Sequence, residues 1–503
     1  MTTVELLDTT LRDGEQTSGV SFSPEEKLQV ARSLLEDVKI DRIEVASARV
    51  SDGELEAVRR IVQWAQTRGL VSRVEVLCFL DGGESVNWAR SAGIETVNLL
   101  TKGSLKHLEG QLRKSPDQHI ADIKSALRHL SDKGMKANIY LEDWSNGMIS
   151  SPHYVRYLLD ALQYEPFLRF MLPDTLGVLT PDQTFAFCKE MTERYPALHF
   201  DFHAHNDYDL AVANSLAAVR AGVKGVHATI NGLGERAGNT PIASVIAVLK
   251  DHLKVPLRVN EEKITRISKL VESFSGIRIP ANKPIVGENV FTQACGVHAD
   301  GDNKDNLYYN DLLPERFGRT RKYALGKTSG KSNILKNLEE LDIQLDPEIM
   351  KKVTRRVVEL GDRKENVTAE DLPYIIADVL HNESITQRIR VVNYALTVAE
   401  GLKSSATLMV EIEGQSYQET SSGDGQYDAF MNALHKIYDS LGRSLPRLAD
   451  YEVTIPPGGK TDALVETVIT WSFRDREFKS RGLDPDQTVA AIKATVKMLN
   501  IIA

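Results

Sequence analysis

Strand and helix alternate eight times in the first half of this chain, and few folds accept that rhythm. Short apolar runs recur as VELLDTTL (residues 4–11), RIEVASA (42–48), VEVLCFL (74–80), TVNLLT (96–101), ANIYLED (137–143), RFMLPDT (169–175), LHFDFHAHND (198–207) and GVHATINGLG (225–234). Between them lie segments with helical periodicity and clear caps. In SPEEKLQVARSLLE, Ser23 precedes Pro24 at the first helical position and acidic residues fill the first turn. Eight such units over about 250 residues predict a (β/α)8 TIM barrel, placed at residues 1–265. A doubly wound sheet would carry GxGxxG after its first strand, whereas DGEQTSG stands there and the glycines of GLGERAGN are wrongly spaced. A dinucleotide site is therefore not expected.

Beyond the barrel the rhythm changes. With 503 residues the chain has room for two to four domains. Residues 266–387 combine a long Pro- and Gly-punctuated stretch, rich in polar and aromatic residues, with helical segments KSNILKNLEELD and PEIMKKVTRRVVELGD. These are read as helical linker subdomains. From 388 to 503 strand patterns (RIRVVNYALTVAE, SATLMVEIEG, DYEVTIPPGG, ALVETVITWSF) accompany two helices, DAFMNALHKIYDSLG and QTVAAIKATVKMLN, and predict a separate α+β domain. No tandem sequence repeat is present.

The net charge of -9 is spread without Lys/Arg blocks, which argues against nucleic acid. Cys78, Cys188 and Cys295 are odd in number and far apart, which fits neither a disulfide framework nor a thiolate zinc site. The N-terminus has no leader pattern and no run of about eighteen apolar residues occurs, so a cytoplasmic protein without a membrane segment is expected.

In a barrel of this kind the C-terminal ends of the strands line the active-site mouth. Arg12 and Asp13 end the first strand, Glu44 lies in the second, Glu142 ends the fifth, Asp174 and Thr175 the sixth, and His203 and His205 the seventh. Two residues apart on a strand, both imidazoles share one side. With Asp13 they make a candidate divalent-metal site that leaves positions open for water or substrate. Each residue also has an ordinary reading. The histidines could be hydrogen-bonded core residues, Arg12 a structural ion pair, Glu142 a helix cap, GLGERAGNTP a tight loop and HADG a turn.

Three long motifs, LDTTLRDGEQ, HAHNDYDLAVANSLAA and NGLGERAGN, closely resemble the signatures of the DRE-TIM metallolyases. They are most similar to the branch holding 2-isopropylmalate, homocitrate and citramalate synthases. The resemblance runs nearly the full length of the chain. Within that branch LEDWSNG, LPDTLGVL and GVHADGDNKDNLY look like the citramalate synthases, with 2-isopropylmalate synthase as the alternative.

The resemblance implies condensation of acetyl-CoA with a 2-oxo acid, then thioester hydrolysis, with pyruvate as the acid and (R)-citramalate as the product. It implies Asp13, His203, His205 and Asn239 around a divalent ion (Mg, Mn, Zn or Co), and Arg12 beside the developing alkoxide. Glu142 paired with His298 would be the base, and Leu77, Leu100, Tyr140 and Thr175 would contact the oxo acid. Asn306 and Tyr308 would close the partner's site in a homodimer. It further implies isoleucine, or leucine in the alternative, as a feedback inhibitor bound near Tyr427, Asp428, Tyr451, Ile455, Pro485 and Gln487. Plain turn chemistry explains those last segments equally, and Leu77, Leu100 and Tyr140 could simply pack the barrel wall. A hydroxymethylglutaryl-CoA-type lyase lacks the long C-terminal domain, and a non-catalytic amino-acid sensor would not need the full polar set.

Overall fold

The computed structural model describes residues 3–302, 307, 310–341, 343–362, 367, 369–380, 388–454, 465–474 and 476–502. Asn306, Tyr308 and Ile455 lie outside the described residues. The chain divides into two compact units, residues 1–292 with 306–322, and residues 293–305 with 323–503.

In the first unit eight parallel strands close into a barrel in sequence order: β1 (Glu5–Asp8), β2 (Arg42–Ser47), β3 (Val74–Cys78), β4 (Thr96–Lys102), β5 (Lys136–Glu142), β6 (Phe167–Asp174), β7 (Phe200–Ala204) and β8 (Gly225–Ala228). Pairing of β8 with β1, with Leu7 opposite His227, completes the ring. The predicted capping box is present before the first barrel helix, Pro24–Arg32. The Glu26 amide donates to the Ser23 hydroxyl, and the Ser23 amide donates back to the Glu26 carboxylate.

Side chains alternate along each strand, so the outward set packs under the helices while the inward set fills the barrel. The outward set is apolar: Leu6, Ile43, Val45, Val74, Val76 and Val97 belong to one large cluster, and Ile139, Leu141, Phe170, Leu172, Phe200 and Phe202 to another. The inward set is mostly polar. Only Leu7, Leu77, Tyr140 and Met171, with Leu100 against them, form an apolar patch inside. Below it Arg42 pairs with Glu75 at 3.0 Å and with Asp201, and Arg169 pairs with Glu5 at 2.7 Å. Gly225 at the start of β8 leaves the room that the Asp201 carboxylate occupies, because a Cβ there would collide with it.

The first strand is shorter than its apolar run. It stops at Asp8, whose carboxylate accepts from the Thr10 amide at 2.9 Å and the Thr10 hydroxyl at 3.0 Å, turning the chain. The Thr9 carbonyl then accepts from the amides of Arg12, Asp13 and Gly14 at 2.8–3.1 Å. Arg12 and Asp13 thus sit on a hydrogen-bonded turn beyond the strand rather than at its last residues.

In the second unit, helices Lys331–Glu340, Pro347–Asp362 and Leu372–Leu380 share one apolar cluster that includes Ile334, Leu338, Val353, Val357 and Leu372. The C-terminal part repeats one pattern twice. Strands Ile389–Thr397, Ser404–Ile412 and Gln415–Gly423 with helix Gln426–Ser440 are followed by strands Arg447–Thr454, Val465–Phe473 and Arg476–Asp484 with helix Gln487–Ile502. Each antiparallel sheet buries alternate residues of its central strand against helix residues such as Phe430, Leu434, Met498 and Leu499. The third strand of each sheet, polar and at an edge, had no counterpart in the sequence reading. Among the described residues no helix is long and apolar enough to cross a membrane.

One buried cation ties the barrel's first turn to its scaffold. Lys27 is fully buried, and its ammonium donates to the carbonyls of Leu11 at 3.0 Å and Val45 at 3.3 Å, and pairs with Glu15 and Glu54, each at 2.6 Å. Removing one member of such a set leaves carboxylates and carbonyls without their donor, which typically costs about 3 kcal/mol or more. Lys27→Met is therefore expected to lower the unfolding free energy from urea titration by about that amount relative to the unaltered chain, seen as a lower midpoint; an unchanged midpoint would contradict the assigned role.

Candidate active site

The turn after β1 holds Arg12 at the centre of three acceptors. Its Nε donates to Glu44 at 2.5 Å, Nη1 to Asp13 at 2.9 Å and Nη2 to the Tyr140 hydroxyl at 3.3 Å. A guanidinium has five N–H groups, so one on each terminal nitrogen is left over for a further acceptor. Burial works against the Arg12 charge, but Glu44 and Asp13 outweigh it and raise the group above its ordinary value. The acceptors are themselves held. Asn98 donates to Glu44 at 2.7 Å and accepts from Asn138 at 2.8 Å.

Beside Arg12, His203 at the end of β7 and His205 just past it approach Asp13. The His203 Nε2 lies 3.3 Å and the His205 Nε2 3.9 Å from Asp13 Oδ2. One candidate ligand atom from each of Asp13, His203 and His205 lies within 4.8 Å of the others, and all three residues are buried. An antiparallel bridge between His205 and Asn239 brings the GLGERAGN loop alongside. Burial, the largest influence on Asp13, opposes its charge, yet Arg12 with His203 and His205 holds the carboxylate well below its usual range. Burial pushes His203 down as well, and burial together with His203 pushes His205 down to about 4. The site therefore offers an ionised carboxylate and two neutral imidazoles.

This donor set fits a divalent cation. Asp13 Oδ1, His205 Nδ1 and Asn239 Oδ1 are buried without a hydrogen-bond partner in the chain, and a buried polar atom without a partner is costly. Two imidazoles, a carboxylate and an amide oxygen suit several divalent metals. Asn239 is anchored through its other end, its Nδ2 donating to the Leu233 carbonyl at 3.2 Å. The positive φ of Gly234 and the close approach of Asn239 to it leave no space for a side chain there.

Other residues named from sequence take different places. The Glu142 carboxylate pairs with Lys102 within the barrel. The Thr175 hydroxyl accepts from the Asp143 amide at 2.9 Å. Leu77 and Leu100 join the apolar patch inside the barrel, as does the ring of Tyr140, whose hydroxyl contacts His227 Nδ1 at 2.9 Å. His298 lies in helix Gly296–Asp302 of the second unit.

In the C-terminal domain the Tyr427 ring stacks on Phe430 and lies 5.5 Å from that of Tyr451, while its hydroxyl shares a 2.7 Å hydrogen bond with Thr495. Burial raises the Tyr451 hydroxyl above its ordinary value, and Gln487 and Thr467 pull the other way. Asp428 instead accepts from the Asp424 amide at 2.9 Å and braces the start of its helix, and Pro485 is exposed.

Asn98, Asn138, Asp201 and His227 were missed from sequence. The available signal was a polar residue at every second position of otherwise apolar strands.

Because protons compete with metal for imidazole, the lowered histidines make a definite expectation. Metal affinity of the apo protein, measured by calorimetry, should fall less from pH 8 to 6 than the about tenfold or more that a pair of imidazoles titrating near the usual ~6.5 would lose. Asp13→Ala or His203→Ala should abolish that binding while the fold persists.

The HMGL-like family matches residues 3–271, the homocitrate synthase post-HMGL domain-like family residues 285–365, and the LeuA allosteric (dimerisation) domain residues 366–503. A Methanopyrus kandleri protein provisionally named (R)-citramalate synthase is 35% identical over 502 residues, covering 99% of this chain and 96% of its own length. Two Methanocaldococcus jannaschii proteins, a 2-isopropylmalate synthase and an (R)-citramalate synthase, are 32% and 31% identical, each covering 99% of this chain and 94% and 99% of their own lengths. The chain belongs to the HMGL-like family, in the form that carries a homocitrate-synthase-type post-HMGL segment and a LeuA allosteric domain.

Proposed function

We propose that the chain is an acyltransferase that condenses acetyl-CoA with pyruvate to give (R)-citramalate and CoA. The observation that carries the reading is Arg12, held by three acceptors with two N–H groups unspent, directly beside the Asp13, His203 and His205 cluster. A divalent ion bound by that cluster and Asn239 would act as a Lewis acid on the 2-oxo acid.

In the reaction a base takes a proton from the acetyl methyl, and the carbanion forms a carbon–carbon bond to the keto carbon. The keto oxygen gains the electron pair as an alkoxide and is then protonated. The spare N–H groups of Arg12 meet that oxygen where negative charge develops, and since they are already oriented the stabilisation needs little reorganisation. Water then cleaves the thioester, releasing CoA as the thiol and the new carboxylate. Glu142, paired with Lys102, is the carboxylate we take to orient an imidazole. We assign that imidazole to His298 of a second copy of the chain, with Asn306 and Tyr308 of the same segment. The LeuA-type domain supports a homodimer with amino-acid feedback, and the cluster of Tyr427, Tyr451 and Gln487 supports a small effector, which we take to be isoleucine.

Substrate choice follows from the inner patch. Leu77, Leu100 and Tyr140 pack with Leu7 and Met171 in one apolar patch, which we take as the wall beside the oxo acid's side chain. Two extra carbons would gain about 0.8 kcal/mol each on burial in a roomy pocket, but overpacking costs roughly 1–3 kcal/mol and reverses the preference. The second reading, 2-isopropylmalate synthase, is favoured by relatives of that name at nearly the same identity.

A thiol-release assay with acetyl-CoA decides between them. Pyruvate should exceed 2-oxoisovalerate at least tenfold in kcat/KM, a difference of about 1.4 kcal/mol. Leu77→Ala or Leu100→Ala should shift preference toward 2-oxobutyrate or 2-oxoisovalerate, and isoleucine should inhibit more strongly than leucine. Preference of the unaltered enzyme for 2-oxoisovalerate would overturn the assignment.

A further inference from the structure

Tyr140, which the sequence suggested as a wall of the substrate pocket, is also one end of a buried chain of hydrogen bonds. Its hydroxyl lies 3.3 Å from Arg12 Nη2 and 2.9 Å from His227 Nδ1. The other ring nitrogen, His227 Nε2, lies 3.2 Å from Asp201 Oδ2, and the Asp201 carboxylate is paired with Arg42. Tyr140, His227 and Asp201 are all buried. The rings of Tyr140 and His227 meet edge to face at 5.5 Å, so neither is free to turn without disturbing the other.

Hydrogen-bond chemistry allows these groups one consistent set of directions. The carboxylate of Asp201 can only accept, so His227 Nε2 must carry hydrogen. A guanidinium can only donate, so the Tyr140 oxygen must accept from Arg12. The tyrosine hydrogen then points away from Arg12, and the acceptor that meets it is His227 Nδ1. Were Nδ1 also protonated, the Tyr140 oxygen would face two donors, its own hydrogen would lose its acceptor, and a third cation would join Arg12 and Arg42. The chain therefore runs Arg12 to Tyr140 to His227 to Asp201, with Arg42 closing it.

We propose that His227, fixed by Asp201, is a positioning residue that acts through the Tyr140 hydroxyl to set the orientation of the Arg12 guanidinium. Its imidazole touches no reacting atom. What it supplies is direction. With the tyrosine hydrogen committed to Nδ1, a lone pair faces Nη2, and the spare N–H of that nitrogen is held toward the substrate side. The catalytic consequence rests on the function proposed above, whereas the bond directions do not.

Two measurements test the two parts separately. In the intact protein labelled with [15N]histidine, the His227 signals, identified by their loss in His227→Gln, should show Nε2 as the protonated nitrogen and Nδ1 as the bare one. A protonated Nδ1 would overturn the proposal whatever the enzyme does.

In the thiol-release assay, His227→Leu should lower kcat at least tenfold with KM for acetyl-CoA unchanged within twofold. His227→Gln, which keeps an acceptor and a donor, should recover to within about threefold of the unaltered enzyme. In a Tyr140→Phe background, His227→Leu should cost no more than twofold further. Multiplying losses in the double variant would show that His227 does not act through the hydroxyl and would overturn the proposal. If the leucine variant does not fold, the nitrogen signals of the intact protein decide the relay. Failure of every 2-oxo acid to turn over would instead reject the functional reading and leave the nitrogen signals to decide the relay.

Discussion

A guanidinium buried inside a barrel is the constraint on which the rest of the first unit depends. Arg12 cannot be placed there without acceptors, because an unpaired buried charge costs more than the fold can carry. Glu44, Asp13 and Tyr140 supply them, and each is held in turn by Asn98, by the histidines, or by His227. The polar interior is thus a set of linked obligations. One group's position fixes the next, from the mouth of the barrel down to Arg42 and Asp201. This is expensive compared with an apolar filling, but it yields a charged site whose geometry is settled before any substrate arrives.

The same economy explains the turn after β1. Asp8 folds the chain back through Thr10, and Lys27 grips the Leu11 carbonyl from below. Two adjacent residues with opposite charges can then face inward side by side, Arg12 as a hydrogen-bond donor to an anion and Asp13 as a candidate cation ligand. Gly225 and Gly234 give way where Asp201 and Asn239 need space. Small residues therefore stand beside these polar groups for a steric reason.

The barrel was legible because its signal is repeated. Eight apolar runs at regular spacing, each followed by a capped helix, admit little else, and the charges at their ends mark the mouth. The convergence of Asp13, His203 and His205 was legible from one HxH spacing and the shared mouth of the barrel. Other features were not. The edge strands Gln415–Gly423 and Arg476–Asp484 were not read from sequence, because an edge strand in a small sheet has few buried positions to advertise it. The doubled β-β-β-α unit leaves no trace as a sequence repeat, since only its buried pattern recurs. His227 and Asp201 were overlooked because one polar residue in a short apolar run looks incidental. Aligned at the barrel's shared inward face, Arg42, Glu75, Asn98, Asn138, Arg169, Asp201 and His227 form a pattern. Glu142 shows the converse, since the carboxylate was noticed but its lysine neighbour was not.

The central claim is that Asp13, His203 and His205, with Asn239 at hand, form a metal centre immediately beside a pre-oriented Arg12. Anomalous diffraction from crystals grown with Mn²⁺ tests it most directly. The account predicts one strong anomalous peak within bonding distance of an Asp13 carboxylate oxygen and one nitrogen from each histidine, with Arg12 still bonded to Glu44 and Tyr140. An anomalous peak elsewhere in the barrel, or none at a saturating metal concentration, would contradict it.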